Sequence, residues 1–196
     1  MSFVSLKSAF ISGLKAKEIK VECDIGRGIN SFSLIGLGDK AVDESKDRVC
    51  SALRNTNFSN PKQVNQKTTI SLAPGDIKKE GTYFDLPIAL AYLLANKELK
   101  LLDENEIKEY LYNGELSLRG DICKLKGVIS ITELAENKKI KNIFLPRKNA
   151  EEACLIKNIN IFAVNSLKEI TDHLSGIKRL KKENPINLEE IVNNDK

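Results

Sequence analysis

Gly36-Leu37-Gly38-Asp39-Lys40-Ala41 fits the relaxed dinucleotide pattern GxGxx(G/A). In that pattern backbone N–H groups at a helix start hold a pyrophosphate. Two features oppose this chemistry here. The pattern wants an acidic residue about 20 positions on to bind the ribose, and Val49 to Gly75 contains neither Asp nor Glu. Asp39 also places a carboxylate where the phosphate would sit. A glycine turn with an Asp cap is the simpler reading. The other chemistry on offer is cationic. Lys78-Lys79 and Arg147-Lys148 read as basic pairs in exposed loops, and Lys178, Arg179, Lys181 and Lys182 cluster near the end. Such residues could meet phosphates, or they could simply be solvated surface. Arg119-Gly120-Asp121 reads as turn chemistry in a hairpin.

Other classes have little support. No GxxxxGK(S/T) loop occurs, so ATP binding in the P-loop manner is not expected of this chain. The cysteines at 23, 50, 123 and 154 form no CxxC pair and have no nearby histidine, which points to reduced thiols rather than a metal site or disulfide framework. The single histidine, His173, lies in an amphipathic stretch and reads as surface or core. A net charge of +4 is spread along the chain and by itself argues only weakly for nucleic acid. The start, MSFVSLKSAFISG, has no export signal and no run reaches transmembrane length, so a cytoplasmic protein without membrane contact is expected.

The elements that must position these residues centre on Thr68 to Ala95. Thr68 to Leu72 reads as a strand stopped by Pro74-Gly75, followed by a basic loop over 76–82. A helix follows, with Asp85 as its expected cap and Pro87 in its first turn. From Leu86 to Ala95 the residues are apolar apart from Pro87 and Tyr92, the pattern of a buried helix. Its large side chains give on the order of 10 kcal/mol of gross burial. Upstream, residues 3–11, 18–25 and 31–35 read as strands of an opening meander. A first helix is capped by Asp39, with Asp43, Glu44, Lys46, Asp47 and Arg48 facing water. Downstream, the pattern predicts a short helix over 101–109, a strand over 110–118 turning at Arg119-Gly120-Asp121 into a return arm at 122–125, and a helix over 127–137. A strand over 142–145, a helix over 150–156, a strand over 159–164 and a helix capped by Ser166 complete it. The sum is an α/β layered fold with a mixed sheet. Residues 177–196 turn charged and asparagine-rich, and read as a linker.

Several of these stretches together resemble the ComM/YifB family of magnesium-chelatase-like AAA+ ATPases. Gly36-Leu37-Gly38-Asp39, Ala41-Val42, Glu44-Ser45, Arg48-Val49 and Arg54-Asn55 resemble its GLPDxAVxESxxRVxxAxRN segment. Leu72-Ala73-Pro74, Lys79-Glu80-Gly81 and Phe84-Asp85-Leu86-Pro87-Ile88-Ala89-Leu90 resemble LAPxDxxKEGxxFDLPIAL, and Gly114 to Gly120 resembles GELxLxG. Gly38 stands where the family usually has Pro. The likeness runs from about residue 3 to 176.

The resemblance implies a ribosomal-protein-S5-domain-2-like fold shared with the proteolytic domain of Lon proteases. It implies an N-terminal domain over 1–176 and a linker over 177–196 leading to an AAA+ motor, where ATP and magnesium would act. It also implies a homo-oligomer, a hexamer in the full-length protein, and a role in DNA processing such as helicase-driven branch migration during natural transformation. The chain itself is expected to need no cofactor or metal. Against the Lon pattern, Tyr83 falls at the serine position and Ile129 at the lysine position, so neither catalytic residue is expected; Thr82 and Lys126 are the nearest substitutes. A degenerate or cryptic peptidase is the alternative function.

Overall fold

The computed structural model describes residues 2–186. β1 (Ser2–Ser12) and β2 (Lys15–Gly26) form an antiparallel hairpin, in register from Ser2–Ile25 to Ser12–Lys15. On β2 the side chains of Ile19, Val21, Cys23 and Ile25 are buried and alternate with exposed Lys20 and Asp24, so one face of this strand is wet. β3 (Ser31–Ile35) ends at Gly36, whose φ of 116° and closeness to the Leu72 carbonyl exclude any side chain. α1 (Lys40–Asn55) begins where Asp39 accepts the Val42 N–H at 2.9 Å. After a polar loop come β4 (Lys67–Ala73) and α2 (Asp85–Ala95).

The second half holds β5 (Tyr110–Tyr112), a two-stranded ribbon of β6 (Glu115–Leu116) and β7 (Ile122–Cys123), α3 (Val128–Asn137) and β8 (Asn142–Pro146). It closes with α4 (Ala150–Ala153), β9 (Asn160–Val164) and α5 (Leu167–Leu174), the last capped by Ser166 as expected. Among the described residues seven strands join in one mixed sheet, in the order β3-β4-β2-β1-β5-β8-β9. The β1–β2 and β2–β4 pairs are antiparallel; the other four are parallel.

Period-two alternation sends side chains to both faces. Leu6, Phe10, Tyr110, Tyr112 and Phe144 enter a core with α1, α2 and α5, whereas Ala9, Leu111, Ile143 and Leu145 pack with α3 and α4 on the other side. Helix α2 lies against β1 and β2 with every residue from Asp85 to Ala95 buried except Leu94. Among the described residues no helix is long and apolar enough to cross a membrane.

The opening strands are not a meander. β4 inserts between β2 and β3, because α1 carries the chain back as a crossover and so makes β3 and β4 parallel neighbours. The expected strand 110–118 breaks at Asn113-Gly114. There Asn113 bonds the Ala9 and Phe144 carbonyls, and Gly114 exchanges backbone bonds with Tyr83 and Leu86. The helix expected over 101–109 is a single tight turn, Glu106–Glu109, preceded by an Asp103 carboxylate that takes the Asn105 N–H.

Residues 177–186, expected to have little to bury, fold back on the domain. Leu180 and Ile186 pack against the two cores, and the Glu183 and Ile186 N–H groups donate to the Ile161 and Cys154 carbonyls. The remainder of the expected linker, 187–196, lies outside the described residues.

The packing of α2 gives a direct test. Leu90 has no exposed surface, so Leu90→Ala is expected to lower unfolding free energy by about 2–5 kcal/mol in a urea titration. Leu90→Asp is expected to yield insoluble chain, since a carboxylate there would be buried without a partner.

Candidate functional site

The glycine turn at Gly36 to Ala41, Lys79, Asp85 and the peptidase positions Thr82 and Tyr83 gather at the leading end of α2. Asp39 joins two loops: its Oδ1 caps α1 and its Oδ2 accepts the Gly81 N–H at 3.2 Å. Backbone bonds between Leu37, Asp39 and Lys79 complete this seam. The start of α1 thus already has a carboxylate of its own chain on it, which is the glycine-turn reading of Gly36 to Ala41.

Lys79 is not an exposed loop cation. It has no exposed surface, and its ammonium group threads back to the Pro74 carbonyl. Burial pushes its pKa down, partly opposed by Asp76.

Asp85 does not cap α2 through its side chain. It is the first helical residue, and its fully buried carboxylate receives Arg48 in a two-pronged pair, Nε to Oδ2 at 2.6 Å and Nη2 to Oδ1 at 3.0 Å. The Leu116 N–H adds a bond to Oδ2 at 3.1 Å. Arg48 also donates to the Ala41 carbonyl and to Ser45, so it turns inward rather than facing water. Burial pushes the Asp85 carboxyl up, and the guanidinium opposes that shift.

Close to this pair lie the positions relevant to a peptidase. The Tyr83 phenol donates to the Lys126 carbonyl at 3.3 Å, and burial raises its pKa. The Thr82 hydroxyl bonds the Glu115 carboxylate. Ile129 is 41% exposed, with its N–H directed at Glu152. Thr82 is therefore hydrogen-bonded to a carboxylate, which is an acceptor and not the amine base of a Ser–Lys type nucleophile.

The basic candidates divide. Lys78 pairs with Glu80 at 3.1 Å and Arg147 with Glu183, while Arg179 reaches Glu106 at 2.6 Å and Lys182 reaches Asn160. Lys148, Lys178 and Lys181 are exposed. The Arg147–Glu183 pair draws the 147–148 loop and the 178–182 segment together, whereas Lys78 sits beside Ser12, Gly13 and Lys17. Sequence reasoning missed Lys15, Lys17 and Lys124 and weighed Lys126 only as a substitute base; all four are exposed. No local pattern marks them; they gather only because hairpin and ribbon ends meet in space.

A polar relay fixes the returning tail. His173 is buried among Tyr110, Phe144 and Phe162, and its Nδ1 accepts the Leu180 N–H at 2.8 Å. The neutral ring therefore carries its proton on Nε2, which donates toward Tyr110 Oη at 3.2 Å. Tyr110 in turn donates to Glu106 at 2.9 Å. The four thiols are free; burial above all, with Asp24, pushes Cys23 up to about 12, so it stays protonated.

A mixed α/β domain whose conspicuous loops are tied by internal hydrogen bonds and whose α1 and α2 share a buried ion pair is the class the fold and site define. Residues 21–149 match the family described as subunit ChlI of Mg-chelatase. The chain is 34% identical over 193 residues to the competence protein ComM of Haemophilus influenzae, covering 98% of this chain and 36% of ComM. It is 34% identical to the uncharacterized protein YifB of Escherichia coli over 185 residues, 94% of this chain and 35% of YifB. An uncharacterized protein of Mycobacterium tuberculosis is 30% identical over 169 residues, 86% of this chain and 32% of that protein. The chain spans about a third of the length of these relatives. It belongs to the Mg-chelatase ChlI family, in the ComM/YifB group.

Removing one partner of the central pair strands the other charge. Arg48→Ala or Asp85→Ala is expected to cost about 3–5 kcal/mol in chemical denaturation. The double substitution is expected to cost clearly less than the two single losses combined.

The relay predicts a pH slope. Burial, with Arg179, holds His173 below its ordinary 6.5, so below that pH the unfolded chain binds a proton that the folded chain refuses. Burial opposes charge on Glu106, but Arg179 and Tyr110 outweigh it and hold its pKa below 4.5. Both groups therefore favour folding at higher pH, and their contributions fade as pH falls, His173 first. Urea titrations from neutral toward mildly acidic pH should show stability declining, and His173→Asn should flatten that decline above pH 5 or so.

Proposed function

We propose that this chain is the non-catalytic N-terminal domain of a magnesium-chelatase-like AAA+ ATPase, with a Lon-protease-domain-like fold, acting on DNA. The motor, its ATP and magnesium, a hexameric ring and a cytoplasmic setting belong to this reading of the whole protein. So does a part in natural transformation, which draws on the name of the competence relative.

One observation carries the DNA contact. Strands β1, β5, β8 and β9 run parallel, with Lys7, Leu111, Ile143 and Ile161 in line, so their C-terminal ends share one edge of the domain. Lys15 and Lys17 follow β1 there, Lys78 lies beside them, and Lys148 follows β8. Lys124 and Lys126 join through Gly127, which packs on Ile11. Asp76 and Glu80 interrupt the positive rim, so phosphate contacts rather than a deep electropositive groove are the fitting mode. The Thr82–Glu115 bond supports the non-catalytic part.

The test is a mobility shift with single-stranded and branched DNA at two salt concentrations. Binding is expected to weaken steeply with salt, and Lys17→Glu, Lys126→Glu and Lys148→Glu are each expected to lower the salt slope by about 1. Lys178→Glu should change little. Absence of any shift at low salt would leave the rim a solubilising surface. Unfolded casein should stay intact with the parent chain; cleavage abolished by Thr82→Ala would favour the peptidase instead.

A further inference from the structure

The two edges of the sheet are treated differently. The outer side of β9 is crossed by the returning tail through the Glu183 N–H and Ile161 carbonyl bond. At the other edge β3, Ser-Phe-Ser-Leu-Ile, has a partner on one side only. Ser31 donates to the Gln66 carbonyl at 3.2 Å, so in the parallel ladder Ser31, Ser33 and Ile35 bond inward to β4. The N–H and C=O groups of Phe32 and Leu34 then point outward, and among the described residues no loop or strand pairs with them. Soluble proteins usually protect such an edge with lysine, proline or a covering segment. Among the described residues β3 has none of these. Around it stand three exposed apolar side chains, Ile29 at 94%, Ile35 at 55% and Leu37 at 57%.

We infer that this edge is a self-association surface, on which β3 of a second copy of this chain pairs antiparallel about a two-fold axis through Ser33. The register follows from the outward groups. An antiparallel pair must bring outward-facing residues opposite one another, and Phe32 opposite Leu34 of the second copy does so on both sides of the axis. The same register sets half-buried Phe32 beside Leu34 and exposed Ile29 toward Leu37, so apolar surface meets apolar surface there, while Ile35 lies against Ser31. Beyond the strand it brings Arg27 toward the first turn of α1, where Asp43 is exposed beside Lys40; Asp39 there is already engaged with Val42 and Gly81. Arg27 is exposed as well. The strand itself carries no charge, so nothing of like sign meets at the axis. A single copy thus supplies both halves of a matched surface, which an unrelated peptide would have to reproduce by chance. Such a contact is isologous and closes at two copies; it is separate from any ring that the motor would build. It does not rest on the DNA reading.

The experiment is sedimentation velocity of the 196-residue chain over a wide concentration range, without DNA or nucleotide. Reversible monomer–dimer exchange is expected. Ile35→Lys replaces the apolar side chain set against Ser31 of the second copy by a solvated ammonium group on each side of the axis, and is expected to raise the dimer dissociation constant by about tenfold or more. Arg27→Glu and Asp43→Arg should each weaken the dimer, and their combination should restore much of it. Circular dichroism and melting temperature check that each variant is folded. A monomer at all concentrations, a dimer indifferent to Ile35→Lys, or closure at a number other than two would each overturn the inference.

Discussion

The buried pair between Arg48 and Asp85 is the constraint on which this domain depends. Asp85 has no exposed side-chain surface, and a carboxylate so placed costs several kcal/mol unless it is paired and hydrogen-bonded. Here it gains two guanidinium bonds and the Leu116 N–H. Those partners come from α1 and from the β6–β7 ribbon, so one charge fixes three segments that are far apart in sequence. A leucine at position 85 could pack in several rotations of α2. The carboxylate accepts only the rotation that meets both Arg48 and Leu116. Gly114 serves the same junction, since a side chain there would press on Leu86 and Ile122.

A second tie works the same way at the adjoining loop. Lys79 is long enough to carry its ammonium group to the Pro74 carbonyl, which folds residues 74–79 into a closed turn. Asp39 then fastens that turn to α1 by accepting from both Val42 and Gly81. The residues that look most chemical in the sequence are therefore engaged with one another. Their types and spacing are accounted for by the need to satisfy buried charges and helix ends, with no ligand required.

This explains what was legible beforehand. β1, β2, α1, α2 and α5 follow from local signals: alternation on β2, Asp39 and Ser166 as caps, and the unbroken apolar run after Asp85. The mixed α/β class follows from their succession. Strand order was not legible, because β4 inserts between β2 and β3 through a crossover that leaves no mark on either strand. Arg48, Lys79 and Asp85 were misplaced for a shared reason. Each looks polar and exposed when judged by its neighbours, and the partner of Asp85 lies 37 positions away. The basic rim of Lys15, Lys17, Lys124 and Lys126 was not legible for the converse reason: singly they are ordinary surface residues, and only the fold gathers them.

Composition also misjudged residues 177–186, and the physical cause is instructive. A segment poor in apolar residues is expected to stay solvated because it cannot offset its ordering entropy by burial. This one is held chiefly by other means. Its backbone donates to Cys154, Ile161 and His173, Arg179 meets Glu106 and Glu183 meets Arg147, and only Leu180 and Ile186 add apolar packing. Backbone donors are present in any sequence except at proline, so composition cannot report them. What selects this path is the acceptor set on the domain. The Nδ1 of His173 is a good acceptor only while the ring is neutral, and the ring is kept neutral chiefly by its burial against Phe144 and Phe162, with Arg179 adding to the effect. The aromatic core beneath α5 thus reaches beyond packing: by holding one histidine neutral, it keeps an acceptor in place for the Leu180 N–H, one of the ties that lay the chain back after Gly176.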